Sequence, residues 1–598
     1  MESSLWRRYL LVDAETSDYF DCADVVGDGF FQGKAMLLCV ISLAILHSHT
    51  LAFALISFPV DHWCRPPAYL DNLTDVAWRN VGIPQNANGQ PSSCRMYEAL
   101  NSTADTIACD SWYYSADRAA STIVSRWDLV CHRAWLLHAA KAAHLFGAAL
   151  ATTAAGYVAD HFGRKPVVNA ATTMLLLAGC ALQFADSYAI YLAVRFVLYG
   201  AASTLFVVIN VIFFEVCPHS CRTRRLSMAA LLAFGPCVLL FLLLHDSRLN
   251  WMQLQMVMGS PTALAPLFFL LAVESPRWLV ATKQFDRAEA AVAAAIKTNG
   301  FGKPADAAAA LKRLTSTASS KVVSRKVTVL AVLRIDLVRR RATTVFASSF
   351  AATFAYYALT PTTALTRAWG GPVSLVATTA AFLLYLLVFN HVSRLLMVSV
   401  NLSALACCSC LASLMFRIRQ EMQGRVFLVF ARAFSVTGMM VNYIYVLELF
   451  PTPIRGVFVC TTYACGRIGA AIAAVLESFY GVAQEDSLLG FVVFVVFNVV
   501  LLLLRIRETE NEAPTELTTA QPVAKSAAAT SKLAAKSPSA EQRLDLDRTE
   551  GGGEVAPKDE ALSCSSPDPC FHTLPVQDAS ANKEPPTVTI IAPTTSFH

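Results

Sequence analysis

Glu215-Val-Cys-Pro218-His-Ser-Cys-Arg222 and Glu448-Leu-Phe-Pro451-Thr-Pro-Ile-Arg455 share one spacing, Glu-x-x-Pro-x-x-x-Arg, although they lie far apart in the chain. Each closes a long apolar segment that carries an arginine and then a glycine, Arg195 and Gly200 in the first and Arg432 and Gly438 in the second. The repeat unit therefore includes a membrane helix and its charged exit. A duplication of this kind predicts two helical halves arranged about a central axis.

Composition agrees. Over 598 residues the chain is 55% hydrophobic and 15% charged, with a mean hydropathy of +0.47, which excludes a soluble enzyme and places the chain in a lipid bilayer. Twelve apolar runs lie near 34–57, 135–159, 166–185, 189–213, 227–245, 253–273, 342–361, 373–390, 395–416, 425–447, 457–477 and 488–505. Each has roughly the 17 to 25 residues that cross a hydrocarbon core. No cleavable signal peptide is expected, because residues 1–31 carry Asp13, Glu15, Asp18, Asp21, Asp24 and Asp28 and lack a short apolar stretch ending in small residues.

Basic residues set the expected orientation. His161–Lys165, Arg222–Arg225, Arg277–Arg287 and Arg339–Arg341 flank the runs on one side, which the positive-inside rule makes cytoplasmic, together with both termini. The other side receives the segment 61–133, with Cys64, Cys94, Cys109 and Cys131 and two sequons, Asn72-Leu-Thr and Asn101-Ser-Thr. Four cysteines beside glycan acceptors fit an oxidising extracellular region with two disulfides, in any of three pairings. The remaining cysteines lie mostly in apolar runs, where Cys packs as a small apolar residue, so none is assigned to a metal.

The organisation expected is a cytoplasmic N-terminus (1–33), an N-terminal half (34–273), a cytoplasmic linker (274–341), a C-terminal half (342–506) and a disordered cytoplasmic tail (507–598). In the linker, the Ala-rich stretch Ala288–Leu314 predicts short surface helices acting as hinge and lid.

Between the second and third runs the chain reads Gly156-Tyr-Val-Ala-Asp160-His-Phe-Gly163-Arg164-Lys165. Gly156 permits close helix contact, Asp160 ends its helix beside the cytoplasmic charges, Gly163 turns the chain, and Arg164 can bridge to a neighbouring acid. Alone, this is a helix hairpin that obeys the positive-inside rule. With Glu215, Arg222 and Glu274-Ser-Pro-Arg277-Trp-Leu at the other exits of the same half, it is a candidate latch for the cytoplasmic side.

These residues resemble the organic cation, anion and zwitterion transporters of the major facilitator superfamily. The resemblance runs from about residue 24 to 512, through Val26-Gly-Asp-Gly-Phe-Phe-Gln32, Asp61-His-Trp-Cys64, Ser125-Arg-Trp-Asp-Leu-Val-Cys131, the Asp160 hairpin, Trp251-Met-Gln-Leu-Gln255, Glu274–Leu279, Phe354-Ala-Tyr-Tyr357 and Glu448–Arg455. The four-cysteine segment with Trp-Asp-Leu-Val-Cys separates this family from sugar porters, which look similar at Glu-Ser-Pro-Arg. The resemblance implies an all-α membrane protein of twelve transmembrane helices in two six-helix pseudo-repeats. It also implies a gate built from Asp160, Gly163, Arg164, Glu215, Arg222, Glu274, Arg277, Glu448 and Arg455. One departure is Asn390-His-Val-Ser393-Arg394-Leu395, where the family's second half repeats the hairpin motif with Gly-Arg-Arg.

Within this family, cation carriers resemble one another by an aspartate inside the eleventh helix and anion carriers by an arginine. The corresponding residue here is Arg467, and from Arg455 the helix rises roughly 18 Å to it, near the middle of a roughly 30 Å core. An arginine at that depth must face water or a partner. Ala464, Ala471 and Ala474 share its face and Gly466 and Gly469 flank it, which predicts a cavity lined by small residues. The resemblance adds Tyr356, Tyr357, Tyr443 and Met439 as pocket residues. It also places Phe382 where anion carriers have a lysine, which argues for a monoanion, or for a weaker or narrower anion preference. Lys141 and His144, with His138, form one stripe on the outer half of the second helix, an anion funnel or cations snorkelling to headgroups.

The leading expectation is a plasma-membrane secondary carrier of small organic anions, exchanging them for a dicarboxylate or using a coupling ion. The lipid bilayer is its surroundings; no nucleic acid, cofactor or metal is called for. No Gly-x-x-x-x-Gly-Lys-Ser/Thr loop occurs, so direct ATP hydrolysis is not expected. The rivals are a cation or carnitine-like zwitterion carrier of the same family, and a non-transporting receptor that kept the fold. On the expected topology Asn72 and Asn101 carry glycans. An N-glycosidase should therefore raise the gel mobility of the parent and leave an Asn72→Gln/Asn101→Gln double variant unchanged; a parent that does not shift contradicts the topology.

Overall fold

The computed structural model describes most of residues 23–300, 333–359 and 394–480, with a few positions in 380–392 and 496–500. Helix α1 (Phe30–Ile56) leads into a region of short elements: β1 (His62–Cys64), α2 (Asp75–Val81), β2 (Arg95–Tyr97), β3 (Thr106–Ala108), β4 (Trp112–Tyr114) and α3 (Ile123–Arg126). There follow α4 (Trp135–Phe162), α5 (Arg164–Ala181), α6 (Tyr188–Val216), α7 (Arg222–His245), α8 (Trp251–Met258) and α9 (Pro266–Leu271). Helices α10 (Pro276–Ala281) and α11 (Phe285–Asn299) precede α12 (Asp336–Ala358), α13 (Arg394–Arg417), α14 (Glu421–Leu449) and α15 (Thr452–Tyr480).

Among the described residues eight helices are long and apolar enough to cross a membrane, or nine with one bent pair counted as a single span. That pair corrects the sixth expected run. Residues 251–271 form two pieces bent by 41°, because Gly259, Pro261 and Pro266 interrupt the backbone hydrogen-bond ladder that one straight helix would need. Most of the eighth and twelfth expected runs, Phe382, Asn390, His391 and Ser393, the linker from 301 to 332, the tail, and both sequon asparagines lie outside the described residues.

Three-residue strands leave no periodic signal in a sequence, and the segment 61–133 contains four of them. β1 pairs antiparallel with β4, His62 opposite Tyr114, and β2 with β3, Arg95 opposite Ala108. Cys64 is joined to Cys109 and Cys94 to Cys131, each with Cα atoms 5.5 Å apart. The first pair ties β1 beside β4; the second anchors the β2 region to the entrance of α4.

In lipid, apolar side chains gain little by meeting each other, so helices associate where small residues let backbones approach. Helix α4 lies antiparallel against α15 and also against α6, while α12 packs on α15 and α14, and α13 on α14. A Cβ added at Gly156 of α4 would fall 2.6 Å from Cys460 Cβ and 2.8 Å from Gly456 O on α15. One added at Gly147 would meet Phe196 O of α6 at 2.5 Å. Large apolar side chains such as Leu150, Leu177, Leu232, Leu243 and Phe430 remain exposed on the outside of the helices, where lipid would cover them.

The described start of the linker is anchored to the N-terminal half. Helix α11 ends with Asn299, which accepts from Phe31 N at 2.8 Å and donates to Val26 O at 3.0 Å and Gln32 Oε1 at 3.1 Å. Gly300, with φ of +69°, closes the helix in the left-handed conformation that glycine adopts without strain.

The cysteine pairing is open to direct test. Cys64→Ser should release one thiol, at Cys109, and Cys94→Ser one thiol at Cys131, as read by alkylation and peptide mass spectrometry. Either loss should lower stability by about 2–5 kcal/mol. Thiols at any other cysteine of the four would contradict the pairing.

Candidate functional site

Three polar groupings stand out, one at each end of the α4–α15 seam and one in its interior. At the end where α4 turns into α5, Gly163 has φ of +107° and lets the chain reverse so that both Asp160 and Arg164 turn inward. Arg164 is fully buried; its Nη2 lies 3.0 Å from Asp160 Oδ1 and 3.3 Å from Glu215 Oε1, and donates to Thr452 O at 2.9 Å. Arg455 Nη1 reaches the same Glu215 oxygen at 3.1 Å, and its Nε donates to Phe450 O at 3.0 Å. Two carboxylates and two guanidiniums thus neutralise one another, and Arg164 lies 5.4 Å from the Trp278 ring centre.

Asp160 does more than pair. Its Oδ1 accepts from Gly456 N at 3.1 Å and its Oδ2 from Val457 N at 2.8 Å, so a carboxylate of one half binds backbone N–H groups in the second turn of a helix of the other. Glu274 acts likewise on α5, accepting from Arg164 N at 2.8 Å and Lys165 N at 3.1 Å. Trp278 Nε1 donates to Asp160 O at 3.1 Å, which places the Glu274-to-Leu279 motif under the hairpin.

The contacts of the latch residues cross between the repeats. Glu215 meets Arg455 of the second repeat, whereas Arg222 of its own repeat lies over the Phe214 ring at 4.0 Å, and Thr223 beside it donates to Glu448 at 3.3 Å. The repeats exchange contacts because Glu215 ends one half's helix where Arg455 begins the other's. Arg277 sits half-buried in α10.

In the interior, Arg467 lies with its guanidinium 4.4 Å from the Tyr463 ring centre and 6.0 Å from that of Tyr199, and donates to Tyr199 Oη at 3.5 Å. Among the described residues no carboxylate lies within ion-pair distance of it. Tyr463 Oη donates to Ser203 Oγ at 3.2 Å, and Tyr199 Oη shares a hydrogen with Thr50 Oγ1 at 2.8 Å. Phe206 stacks on Tyr443 at 5.4 Å and meets Tyr463 at 5.8 Å, so Tyr443 joins the cluster through Phe206. Tyr356 and Tyr357 touch edge-on at 5.4 Å, and Tyr357 is within electrostatic reach of Arg467. Met439 is half-buried one turn before Tyr443, and no described contact joins it to Arg467.

Two expectations are corrected here. The small residues of α15 do not leave a cavity: Gly466 faces Ser349 and Thr353 of α12, Gly469 faces Phe350, and Ala464, Ala471 and Ala474 are buried in packing. A cleft of about 210 Å³ instead opens elsewhere, among Phe31, Lys34, Ile209, Leu271 and Glu274. Nor is Lys141 a free funnel cation, because its Nζ lies 2.6 Å from Glu477 Oε2 at the far end of α15. Sequence reading missed Tyr199, Ser203, Thr50 and Tyr463. Only Tyr463 carried a usable signal, standing one turn before Arg467 on the same helix face.

The profile of the Major Facilitator Superfamily matches residues 136–474. The chain is 27% identical over 533 residues to solute carrier family 22 member 25 of Homo sapiens, covering 82% of this chain and 94% of that one. It is 28% identical over 357 residues to solute carrier family 22 member 6 of Bos taurus, covering 56% and 63%. Its fold is similar to that of the proton:xylose symporter XylE bound to 6-bromo-6-deoxy-D-glucose, with a TM-score of 0.55, 14% identity, and coverage of 81% of this chain and 96% of that chain.

Glu215 is the member whose loss should be felt most, since it alone sits between two buried guanidiniums. Glu215→Gln should destabilise the solubilised protein by about 3–5 kcal/mol, because it leaves Arg455 without its carboxylate and the buried cluster with one uncompensated charge, Arg164 keeping Asp160. Thr223→Val, which removes only a neutral hydroxyl contact, should cost about 1 kcal/mol. Thermal melting in detergent measures both, and equal melting of the two variants would contradict the four-charge cluster.

Proposed function

The chain belongs to the Major Facilitator Superfamily, and from that premise we propose that it is a plasma-membrane carrier of small organic anions, aryl or alkyl carboxylates, working by alternating access. The observation that supports the anion assignment is Arg467, a cation held in the interior by tyrosine rings and a hydroxyl with no described carboxylate beside it. Ordinary buried arginines in membrane proteins are neutralised by an acid; this one is left for a carboxylate that arrives from solution. A guanidinium grips such a group through two parallel N–H donors, while the Tyr463 and Tyr199 rings offer faces to the flat body of an aryl acid.

The tyrosines also hold the guanidinium in place before the ligand binds. Tyr199 is fixed by Thr50, and Tyr463 by Ser203, so the charge presents itself without reorganisation. Because Thr50, Tyr199 and Ser203 belong to the N-terminal half and Tyr463 and Arg467 to the C-terminal half, a bound anion would be gripped by both. On the orientation expected from the basic residues, the Asp160 cluster faces the cytoplasm and its closure fits a carrier shut on that side. Energy would come from an exchanged dicarboxylate or a coupling ion.

Arg467→Ala should reduce uptake of a labelled aryl carboxylate about ten- to a hundredfold, the size of a charge-assisted contact of roughly 1.5–3 kcal/mol. Arg467→Lys should fall between, keeping charge but losing the fork, and Arg467→Asp should move preference toward a quaternary amine. Surface abundance and both uptakes are read in the same cells. An Arg467→Ala carrier that is displayed normally and still selects anions contradicts the assignment; a parent that carries the amine and not the carboxylate favours the cation carrier.

A further inference from the structure

At the end of the α4–α15 seam opposite Asp160, Lys141 Nζ lies 2.6 Å from Glu477 Oε2, and His138 Nδ1 stands 3.9 Å from the same oxygen. The Lys141 and Glu477 side chains are only 13% and 16% exposed, so the pair is largely withdrawn from water. Lys141 Nζ also sits 5.9 Å from the ring centre of Tyr357, which is edge-on to Tyr356. The pair therefore bridges the two halves immediately beside the aromatic residues that neighbour Arg467.

We propose that Lys141 and Glu477 form the outer gate of this carrier, an ion pair that closes the seam at its extracellular end and parts to admit substrate. The proposal rests on the alternating-access reading above. Helices α4 and α15 run antiparallel, so the two contacts that join them at their ends, Asp160 on the α15 N-terminus and Lys141 on Glu477, lie at opposite ends of one seam. Both contacts are formed here, so the seam is shut at both ends, and this pair is the contact that outer opening must separate. Its chemistry also suits the cargo. An incoming carboxylate offers Lys141 the same partner that Glu477 does, so an anion can take over the lysine while the gate parts.

The test is thiol accessibility in whole cells expressing the full chain. Tyr357→Cys places a reporter beside the pair, and a membrane-impermeant methanethiosulfonate labels it from outside, with the parent giving the background of native cysteines and surface biotin the amount displayed. Adding Glu477→Gln should raise the labelling rate about five- to tenfold, corresponding to roughly 1–1.4 kcal/mol of lost closure. The exchanged pair, Lys141→Glu with Glu477→Lys, should bring it back to within about twofold of the reporter alone, which lost packing would not do. Equal rates in normally displayed Glu477→Gln and reporter proteins overturn the gate, as does a swapped pair that labels as fast as the single variant. Labelling requires no substrate. Expected labelling in a parent that takes up no organic ion would count against the transport reading and leave the gate supported.

Discussion

A carboxylate of one half binds the backbone near the start of a helix of the other, and the rest of the architecture depends on it. Asp160 accepts from two N–H groups in the second turn of α15, at Gly456 and Val457, while its charge is balanced by Arg164. The approach is close enough that a Cβ at Gly456 would fall 2.5 Å from Asp160 Oδ1. Glycine there is a consequence of where the carboxylate must go.

From this contact the seam between α4 and α15 is laid down, and with it the position of Arg467 farther along α15. The two buried arginine environments along α15 differ in kind. At its start, Arg455 is matched by Glu215 within a neutral group of four charges. In its interior, Arg467 has rings and a hydroxyl, which lower the cost of burying a guanidinium without cancelling its charge. The first environment is complete as it stands. The second, on the reading proposed above, is one that an anion would complete.

Much of this could be read from the chain. The spacing around Glu215 and Glu448 gave away the duplication, and the Gly156-to-Lys165 segment marked the hairpin with both of its inward charges. What could not be read was exchange between the copies. Glu215 and Arg222 stand in one local motif, but the fold brings Glu215 at the end of α6 to Arg455 near the start of α15, a contact between the copies that no local spacing shows. Asn299 and Gln32 were equally silent, as an asparagine at a helix end looks like a turn until its distant partners on α1 are known. The glycines beside Arg467 misled for a related reason: small residues in a membrane helix signal close approach or open space alike, and only the neighbour, here α12, decides. Tyr199 and Tyr463 passed as packing because aromatic residues in apolar runs usually are.

In the carrier proposed here, the guanidinium of Arg467, beside no carboxylate among the described residues, has an electrical consequence. As the halves rock, the residue moves little, but the side from which water reaches it changes, so the fraction of the membrane voltage acting on it changes too. One elementary charge crossing the whole field is worth about 2.3 kcal/mol per 100 mV. The empty carrier, bearing a net positive centre, would feel that field each time it turned. Filled with a monoanion the centre is neutral, and the loaded turn becomes almost indifferent to voltage. A resting potential would therefore act on the return stroke, favouring the orientation that exposes the vacant arginine to the negative side, and would alter the apparent affinity on each side only through the share of empty carriers facing it.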